Sequence, residues 1–166
     1  MLKPTRERIL ELLDCDPLLG ILRWKVWRPN GVKPGDLAGS AKGDGYLRVC
    51  IDGKRYGVHQ VIWFYVHGTW PARIDHKDRN PERNSIQNLR IATRAQNIQN
   101  CKVYSTNSAG FKGVSPKNRR FVARVTINKK TVNLGAFDTP EEAHQAYCQA
   151  AKVAFGEFFS SGQSQP

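Results

Sequence analysis

The chain has 166 residues, of which 40% are hydrophobic, and its 26 Lys and Arg residues against 14 Asp and Glu give a formal net charge of +12. A chain of this length holds one domain or two small ones, and its apolar share argues against a wholly disordered protein. The excess of positive charge lies after residue 53, and it suits a polyanion such as nucleic acid or an acidic membrane surface.

Membrane insertion and disulfide bonding are both disfavoured by the sequence. The first residues lack the apolar core of a signal peptide, and no run approaches the roughly 18 apolar residues that cross a bilayer. The four cysteines are scattered without a Cys-x-x-Cys pair, which argues against a zinc ribbon and against a disulfide framework. We therefore expect a cytoplasmic protein with no membrane partner.

The first 68 residues are predicted to form two helices with strands between them. Residues 5–14 predict a short helix capped by Thr5, and residues 21–26 a short strand. In the segment YLRVCIDGKRYGV, two strands are joined by Asp52-Gly53, which suits a type I′ turn. The segment VHQVIWFYVHG then predicts an apolar helix that ends at Gly68.

Residues 74–101 are predicted to contain two short strands and a helix. The first strand ends at Asp75-His76, a polar and asparagine-rich loop follows, and residues 89–92 form the second strand. Thr93-Arg94-Ala95-Gln96 matches a capping box, so a helix begins after Thr93 and carries Asn97 in its first full turn. Because asparagine is a weak helix former, we expect Asn97 to be present for a contact that it makes.

Three strands and a helix are predicted to follow a linker. Strands are expected over residues 111–116, 120–127 and 131–137, the middle one with alternating apolar and polar residues. Thr139 and Pro140 are typical of a helix start, and the helix should run to Phe155 and end at Gly156. Its inward face is predicted to consist of Ala143, Tyr147, Ala150, Ala151 and Ala154.

Four side chains in residues 74–101 can together carry out phosphodiester hydrolysis, which needs an activated water and neutralised charge. Asp75 offers an anionic oxygen and Asn97 a neutral one, which suit Mg²⁺ or Mn²⁺. His76 can accept a proton from water, because imidazoles change protonation near neutral pH. Asn88 is a candidate to orient His76 by hydrogen bonding.

Each of these residues also has a purely structural interpretation. Asp75 can be a surface carboxylate, His76 an ordinary residue at a strand end, and Asn97 a solvated helix residue. Asn88 can simply cap or turn the loop. Their combination at this spacing, within a basic segment, favours a nuclease more than any single residue does.

The segment from His59 to Asn100 resembles the HNH endonucleases, in the phage and intron-encoded branch with an H-N-N pattern. The matching residues are Asp75-His76, Asn84, Asn88-Leu89 and Asn97. This resemblance implies an α+β protein with a ββα-metal (His-Me finger) core. His76 would be the general base, Asn88 would orient it, and Asp75 with Asn97 would hold Mg²⁺ or Mn²⁺. Asn97 stands where many relatives have histidine. For His59, packing or capping is expected rather than phosphate contact.

Residues 108–157 resemble the plant ethylene-response-factor (APETALA-type) DNA-binding domain. The resemblance rests on Gly113-Val114, Phe121-Val122-Ala123, Leu134-Gly135-Ala136-Phe137, residues 139–143, Ala146-Tyr147, Ala150-Ala151 and Phe155-Gly156. It implies that the sheet lies in the major groove, although Ser115 and Phe121 replace a common arginine and tryptophan. The predicted DNA contacts are Lys112, Arg119, Arg120, Arg124, Lys129 and Lys130.

The predicted organisation has five segments. A helix and hairpin in residues 1–55 pack on a nuclease core at 56–101. A linker at 102–110 leads to a small three-stranded antiparallel sheet plus helix at 111–159. A disordered tail follows at 160–166. The predicted function is metal-dependent endonuclease cleavage of double-stranded DNA, of the phage homing type. A non-catalytic, sequence-specific DNA-binding protein with a vestigial nuclease fold is the alternative, and a restriction-type nuclease also remains open. Protein partners stay unknown from the sequence.

Overall fold

A computed structural model describes residues 3–41, 43–103 and 106–163 and has a mixed α/β fold with small antiparallel sheets. The chain divides into two compact units, one ending at Ala92 and the other beginning at Thr93. This division separates the second predicted strand of the nuclease core from the helix that follows it. Each unit is therefore described by itself.

The first unit combines two helices with short strands. The helices are α1 (Arg6–Leu12) and α2 (Val58–His67). The strands are β1 (Leu13–Asp16), β2 (Ile21–Trp24), β3 (Ser40–Ala41), β4 (Leu47–Ile51), β5 (Lys54–Gly57), β6 (Ile74–His76) and β7 (Leu89–Ile91). They pair antiparallel in three small sheets, with orders β1-β2, β3-β4-β5 and β6-β7.

The core of the first unit forms where α1 and α2 bury their apolar faces. Helix α2 buries Val58, Val61 and Ile62, which follow the three-to-four-residue spacing of one helix face. Strand β4 adds Val49 and Ile51, on the opposite side of the strand from exposed Cys50. The remaining buried residues of this core are Ile9, Leu12, Leu13, Leu22, Trp24, Ala38 and Phe64.

Local signals in the sequence correctly predict where several elements begin and end. The Thr5 hydroxyl accepts a hydrogen bond from the Arg8 amide and caps α1. Asp52 and Gly53 both have positive φ, 48° and 77°, as a type I′ turn requires. Gly68 ends α2 in the left-handed conformation, with φ 71°.

Helix α1 ends at Leu12, two residues before the predicted end at residue 14. Leu13 instead begins strand β1, which pairs with β2 from Leu13–Trp24 to Asp16–Ile21. The same pairing ends β2 at Trp24, two residues before the predicted end of that strand. Pairing between strands therefore overrides the helical pattern of this segment.

The second unit contains a short helix, a three-stranded sheet and a long helix. The elements are α3 (Arg94–Asn100), β8 (Val114–Lys117), β9 (Arg120–Ile127), β10 (Lys130–Phe137), α4 (Pro140–Phe155) and a 3-10 turn (Gly156–Phe158). The sheet is antiparallel with the order β10-β9-β8. Helix α4 packs on it, since Val114 and Ala123 share a buried cluster with Ala143, and Val125 shares another with Tyr147.

Two predictions for the second unit need correction. Helix α4 buries His144, whereas Ala154 is exposed. His144 Nδ1 donates to the Lys112 carbonyl at 3.0 Å, which satisfies the buried ring. The predicted disordered tail is ordered at its start, because Ser160 is buried and the Gly162 carbonyl accepts from the Val103 amide at 3.2 Å. Residues 164–166 of that tail, and residues 104 and 105 of the predicted linker, lie outside the described residues.

Candidate functional site

Strand β6 presents Asp75 and His76 at its end, as the sequence predicts. The strand pairs with β7 through Asp75–Arg90 and His76–Leu89, and both site residues are buried. Immediately beyond the strand the chain leaves the sheet, and the Arg79 amide donates to the His76 carbonyl at 3.0 Å. Because both residues lie within the paired register, their side chains begin on opposite faces of the strand.

The His76 imidazole is oriented by Asn84. The His76 Nε2 lies 3.1 Å from Asn84 Oδ1, and Asn84 is only 1% exposed, so water does not compete for this contact. The Asn84 amide is itself fixed, because its Nδ2 donates to the Glu82 carbonyl at 3.0 Å. Since Asn84 therefore presents an acceptor, the neutral ring carries its proton on Nε2 and its lone pair on Nδ1. This is the tautomer of a base that acts through Nδ1.

Asn88, which was predicted to orient His76, is used by the loop instead. Its Nδ2 donates to Asp78 Oδ1 at 2.9 Å and to the Arg83 carbonyl at 2.7 Å. Its Oδ1 accepts from the Asp78 amide at 3.1 Å. Both hydrogens of the carboxamide are thus taken within the loop between β6 and β7. The structural interpretation, that Asn88 turns the loop, describes these contacts, and Asn84 occupies the position beside the histidine.

We expect replacement of Asn88 by alanine to destabilise the first unit by about 1–3 kcal/mol, because the loop loses the three hydrogen bonds that join Asn88 to Asp78 and Arg83. All four tryptophans precede residue 71, so tryptophan fluorescence during urea unfolding reports on this unit. Gln87→Ala is the matched control, because the Gln87 side chain is exposed beside Asn88, and we expect it to cost less than about 0.5 kcal/mol. Equal effects of the two substitutions would contradict the role of Asn88 in closing the loop.

Asp75 forms a buried ion pair with Arg90, its neighbour across the strands. Arg90 donates to Asp75 Oδ2 from Nε at 2.8 Å and from a terminal nitrogen at 2.7 Å. Asp75 is 4% exposed and Arg90 is 9% exposed, so both charges are removed from water. Arg90 matches no motif in the sequence, although its place opposite Asp75 follows from the register of β6 and β7.

Two further rings surround the His76 imidazole. The ring centroids of His59 and His76 are 5.3 Å apart, and those of Tyr46 and His76 are 5.8 Å apart, both in edge-to-face geometry. Burial, followed by the proximity of His76 and Arg48, lowers the pKa of His59 to about 4. His59 is therefore neutral at physiological pH. The expected packing role for His59 agrees with these contacts, whereas Tyr46 was not anticipated.

Asn97 lies in the second unit. The predicted capping box is present: the Thr93 hydroxyl accepts from the Gln96 amide at 3.2 Å, and the Thr93 amide donates to the Gln96 side chain at 2.8 Å. Asn97 follows on the first full turn of α3, where its amide donates to the Thr93 carbonyl at 3.0 Å. Its carboxamide thus has the position on the helix that was predicted, and its role as a ligand remains a prediction.

The donor set suits a hard divalent cation by its chemistry, since Asp75 and Asn97 both offer oxygen. Among residues 3–41, 43–103 and 106–163, however, no group of three or more His, Cys, Asp or Glu side chains lies close enough to hold a metal ion. Asp75 is therefore the carboxylate on which metal binding near His76 would depend, together with neutral oxygen donors, water and phosphate.

Exposed basic residues lie on the sheet of the second unit and at its turns. Along β9, Phe121, Ala123 and Val125 face helix α4, whereas Arg124 is exposed on the alternate side. The other exposed basic residues predicted to contact DNA are Arg119, Arg120, Lys129 and Lys130. Arg120 is paired with Asp138 at 3.0 Å, but both side chains are mostly exposed, so this ion pair contributes little.

Lys112, also predicted to contact DNA, is used within the protein. Its ammonium donates to the carbonyls of Gln99 and Cys101, at the end of helix α3, and the Cys101 contact measures 3.1 Å. A cation at this position satisfies the last carbonyls of the helix and interacts favourably with its dipole. In the structure Lys112 therefore stabilises the end of α3, and its contact with DNA stays a prediction.

Comparisons with known proteins identify the region that contains His76. Residues 56–99 match the family model described as HNH endonuclease. The chain is 35% identical over 113 residues to a protein of Acanthamoeba polyphaga mimivirus named Uncharacterized HNH endonuclease L560, a match that covers 66% of this chain and 59% of that protein. It is 35% identical over 71 residues to Protein 3.8 of Escherichia phage T7, covering 42% of this chain and 59% of that protein. Residues 56–99 are thus similar to an HNH endonuclease domain.

These comparisons also have a defined extent. The chain spans 59% of the length of both curated relatives that it matches. No solved structure matches the chain. Within the part of the chain that the structure describes, no helix combines the length and apolar character needed to cross a membrane.

Proposed function

We propose that this protein is a metal-dependent DNA endonuclease of the phage homing type that hydrolyses phosphodiester bonds with His76 as the general base. The observation that carries the proposal is the chain of contacts from the Glu82 carbonyl through Asn84 to His76 Nε2. These contacts select the tautomer with its lone pair on Nδ1, at a strand end within the matched HNH segment. Both curated relatives are viral proteins, which favours the phage type over a restriction enzyme.

In this proposal each residue near His76 has a defined task. His76 Nδ1 takes a proton from the attacking water, and Asn84 keeps the imidazole in the orientation that this transfer requires. Asp75 and Asn97 would supply oxygen ligands to Mg²⁺ or Mn²⁺, which when bound would neutralise the charge that develops on the phosphate. Arg90 holds the Asp75 carboxylate in place through two contacts to its Oδ2.

The test is direct incubation of the protein with DNA. Supercoiled plasmid and linear phage genomic DNA are incubated with Mg²⁺ or with Mn²⁺, and parallel samples contain EDTA. We expect metal-dependent relaxation or linearisation of the plasmid, and fragments from the genomic DNA, with no cleavage in EDTA. Intact DNA with both metals, together with a retained gel shift, would instead support the non-catalytic DNA-binding protein.

The basic sheet face of the second unit is proposed to hold duplex DNA, in the manner of the ethylene-response-factor domains that the sequence resembles. Support comes from exposed Arg124 on the face opposite α4, and from Lys129 and Lys130 at the turn between β9 and β10. Such residues bind phosphates and position the protein, whereas base contacts would determine the sequence preference.

Alanine at Arg124, Lys129 and Lys130 together should weaken DNA binding and reduce its dependence on salt. Each lost phosphate contact lowers the slope of log affinity against log salt concentration by about 0.9. Fluorescence anisotropy with a labelled duplex at several salt concentrations measures this slope. Lys152→Ala is the control, because Lys152 is exposed on α4 and its substitution removes one positive charge from the same unit. A slope that is unchanged in the triple variant would exclude this face as the DNA contact.

A further inference from the structure

Three rings form a cluster at the candidate base. We define this ring cluster as Tyr46, His59 and His76, whose centroids are separated by 5.3–5.8 Å in all three pairs. His59 meets His76 with an angle of 69° between the ring planes, and Tyr46 meets it at 62°. Two rings therefore border the His76 imidazole, in addition to the hydrogen bond from Nε2 to Asn84. Edge-to-face contacts of this kind restrict how a ring can rotate.

His59 is partly buried, and one nitrogen of its ring lacks the hydrogen bond that a buried nitrogen normally makes. Its Nδ1 is buried and has no hydrogen-bond partner among the described residues. An unsatisfied buried polar atom costs about 1–3 kcal/mol, so such an atom in a folded protein calls for an explanation. A hydrogen bond at Nδ1 does not account for His59 at this position. The contacts that the structure shows for His59 near the site are those of its ring with His76 and Tyr46.

The charge of His59 is consistent with a role that depends on shape. Burial and the neighbouring His76 and Arg48 lower its pKa to about 4, so the ring is neutral at physiological pH. A neutral imidazole does not attract phosphate as a cation does. It can, however, lie against a second imidazole without electrostatic repulsion.

We propose that His59 is a positioning residue that holds the His76 imidazole in the orientation in which Asn84 accepts its Nε2 proton. Without the His59 ring, space would open beside His76, and the imidazole could rotate about its bond to Cβ. Rotation would break the contact with Asn84 and allow the proton to move to Nδ1, which removes the base. The expected effect of His59 on catalysis rests on the proposed function of His76. The expected effect of His59 on the orientation of the His76 ring does not.

Gly57 provides a second way to displace the His59 ring. A Cβ atom at position 57 would lie 2.5 Å from His59 Cε1, which is too close for real atoms, and 3.0 Å from Nδ1, which is a tight contact. Gly57 has φ −65° and ψ 134°, which alanine adopts without strain. Gly57→Ala should therefore move the His59 ring while leaving the backbone conformation allowed, so its effect on His76 would pass through His59.

The test compares four variants in the complete chain. His59→Ala removes the ring, Gly57→Ala displaces it, and His59→Phe keeps a ring of similar shape without nitrogen atoms. His67→Ala is the matched control, since His67 is exposed at the other end of the same helix, where its ring packs on Trp63. The ¹⁵N chemical shifts of the His76 ring report its tautomer directly, and steady-state cleavage kinetics report kcat and KM.

We expect the Nε2-protonated tautomer of His76 to dominate in the wild-type protein, in His67→Ala and in His59→Phe. In His59→Ala and Gly57→Ala we expect a mixture of tautomers, with kcat lowered about ten- to a hundredfold and KM changed less than about threefold. His59→Phe should also unfold at a higher urea concentration than the wild type, because it removes the buried unsatisfied nitrogen.

Two results would overturn the proposal. The first is a His76 tautomer that stays unchanged in Gly57→Ala and in folded His59→Ala. The second is a loss of activity in His59→Phe as large as that in His59→Ala, because a nitrogen of His59 would then be required. If the wild-type protein does not cleave DNA, the proposed function fails, and the tautomer measurement alone decides whether His59 positions His76. If His59→Ala does not fold, the His76 tautomer in Gly57→Ala and the activity of His59→Phe still decide whether His59 positions His76.

Discussion

Replacing His76 with alanine should lower the rate of DNA cleavage by about 10²–10⁴-fold while leaving the affinity for DNA nearly unchanged. Asn84 Oδ1 lies 3.1 Å from His76 Nε2 and orients the imidazole. The substitution removes this imidazole and with it the group proposed to accept the proton. Affinity should persist because His76 is 5% exposed and offers little surface to DNA, whereas the exposed basic face of the second unit is untouched. Single-turnover cleavage and fluorescence anisotropy measure the two quantities separately.

A double substitution tests whether Asn84 acts through His76. Asn84→Ala should lower the cleavage rate less than His76→Ala does, because the base remains but its tautomer is no longer selected. Combining the two changes should cost no more than His76→Ala alone, since residues that act as a unit are not additive. His67→Ala again provides the control for removing a histidine elsewhere. Cleavage by His76→Ala at the wild-type rate would show that another group is the base.

The elements that could be predicted from the sequence are those with a local signal. Thr93 with Gln96 forms a capping box, and Asp52-Gly53 forms a turn with positive φ at both residues. These arrangements depend on neighbours within three residues, so tertiary contacts are not needed to recognise them. For the same reason the end of β6 at His76 was predictable, although this strand has only three residues.

The partners of the site residues could not be predicted in the same way. Asn84 and Asn88 are both carboxamides in one loop, and both have a spacing from His76 that permits a hydrogen bond. Which of them faces the imidazole depends on how the loop closes, and Asn88 is taken by Asp78 and the Arg83 carbonyl. Only the three-dimensional path of the loop contains that information.

Lys112 presents the same difficulty in the second unit. Its sequence context places it among basic residues, and a lysine near a predicted sheet is usually exposed. In the structure its ammonium meets the carbonyls at the end of α3, which precede it by more than ten residues. Charge in the sequence therefore identified the exposed basic residues Arg124, Lys129 and Lys130, but it did not show which basic side chains form hydrogen bonds within the protein.

Removal of Arg90 should produce the largest loss of stability in the first unit. Asp75 is 4% exposed and its Oδ2 accepts two hydrogen bonds from Arg90, so Arg90→Met leaves a buried carboxylate without its cation. Breaking a buried pair in this way costs about 3–5 kcal/mol. Arg83→Met is the matched control, because Arg83 pairs with Asp78 at 3.0 Å but is 69% exposed, and it should cost less than about 1 kcal/mol.

The Arg90→Met variant also tests metal binding at Asp75 without measuring cleavage. A divalent cation that binds this carboxylate in the folded state would replace part of the lost positive charge, and it would stabilise the first unit by mass action. Mg²⁺ at millimolar concentration should therefore raise the urea midpoint of Arg90→Met, followed by tryptophan fluorescence, more than that of the wild type. The double variant Asp75→Leu/Arg90→Met should recover stability and lose the response to Mg²⁺. An equal response to Mg²⁺ in single and double variants would remove Asp75 from the proposed ligands, since the cation would then bind elsewhere.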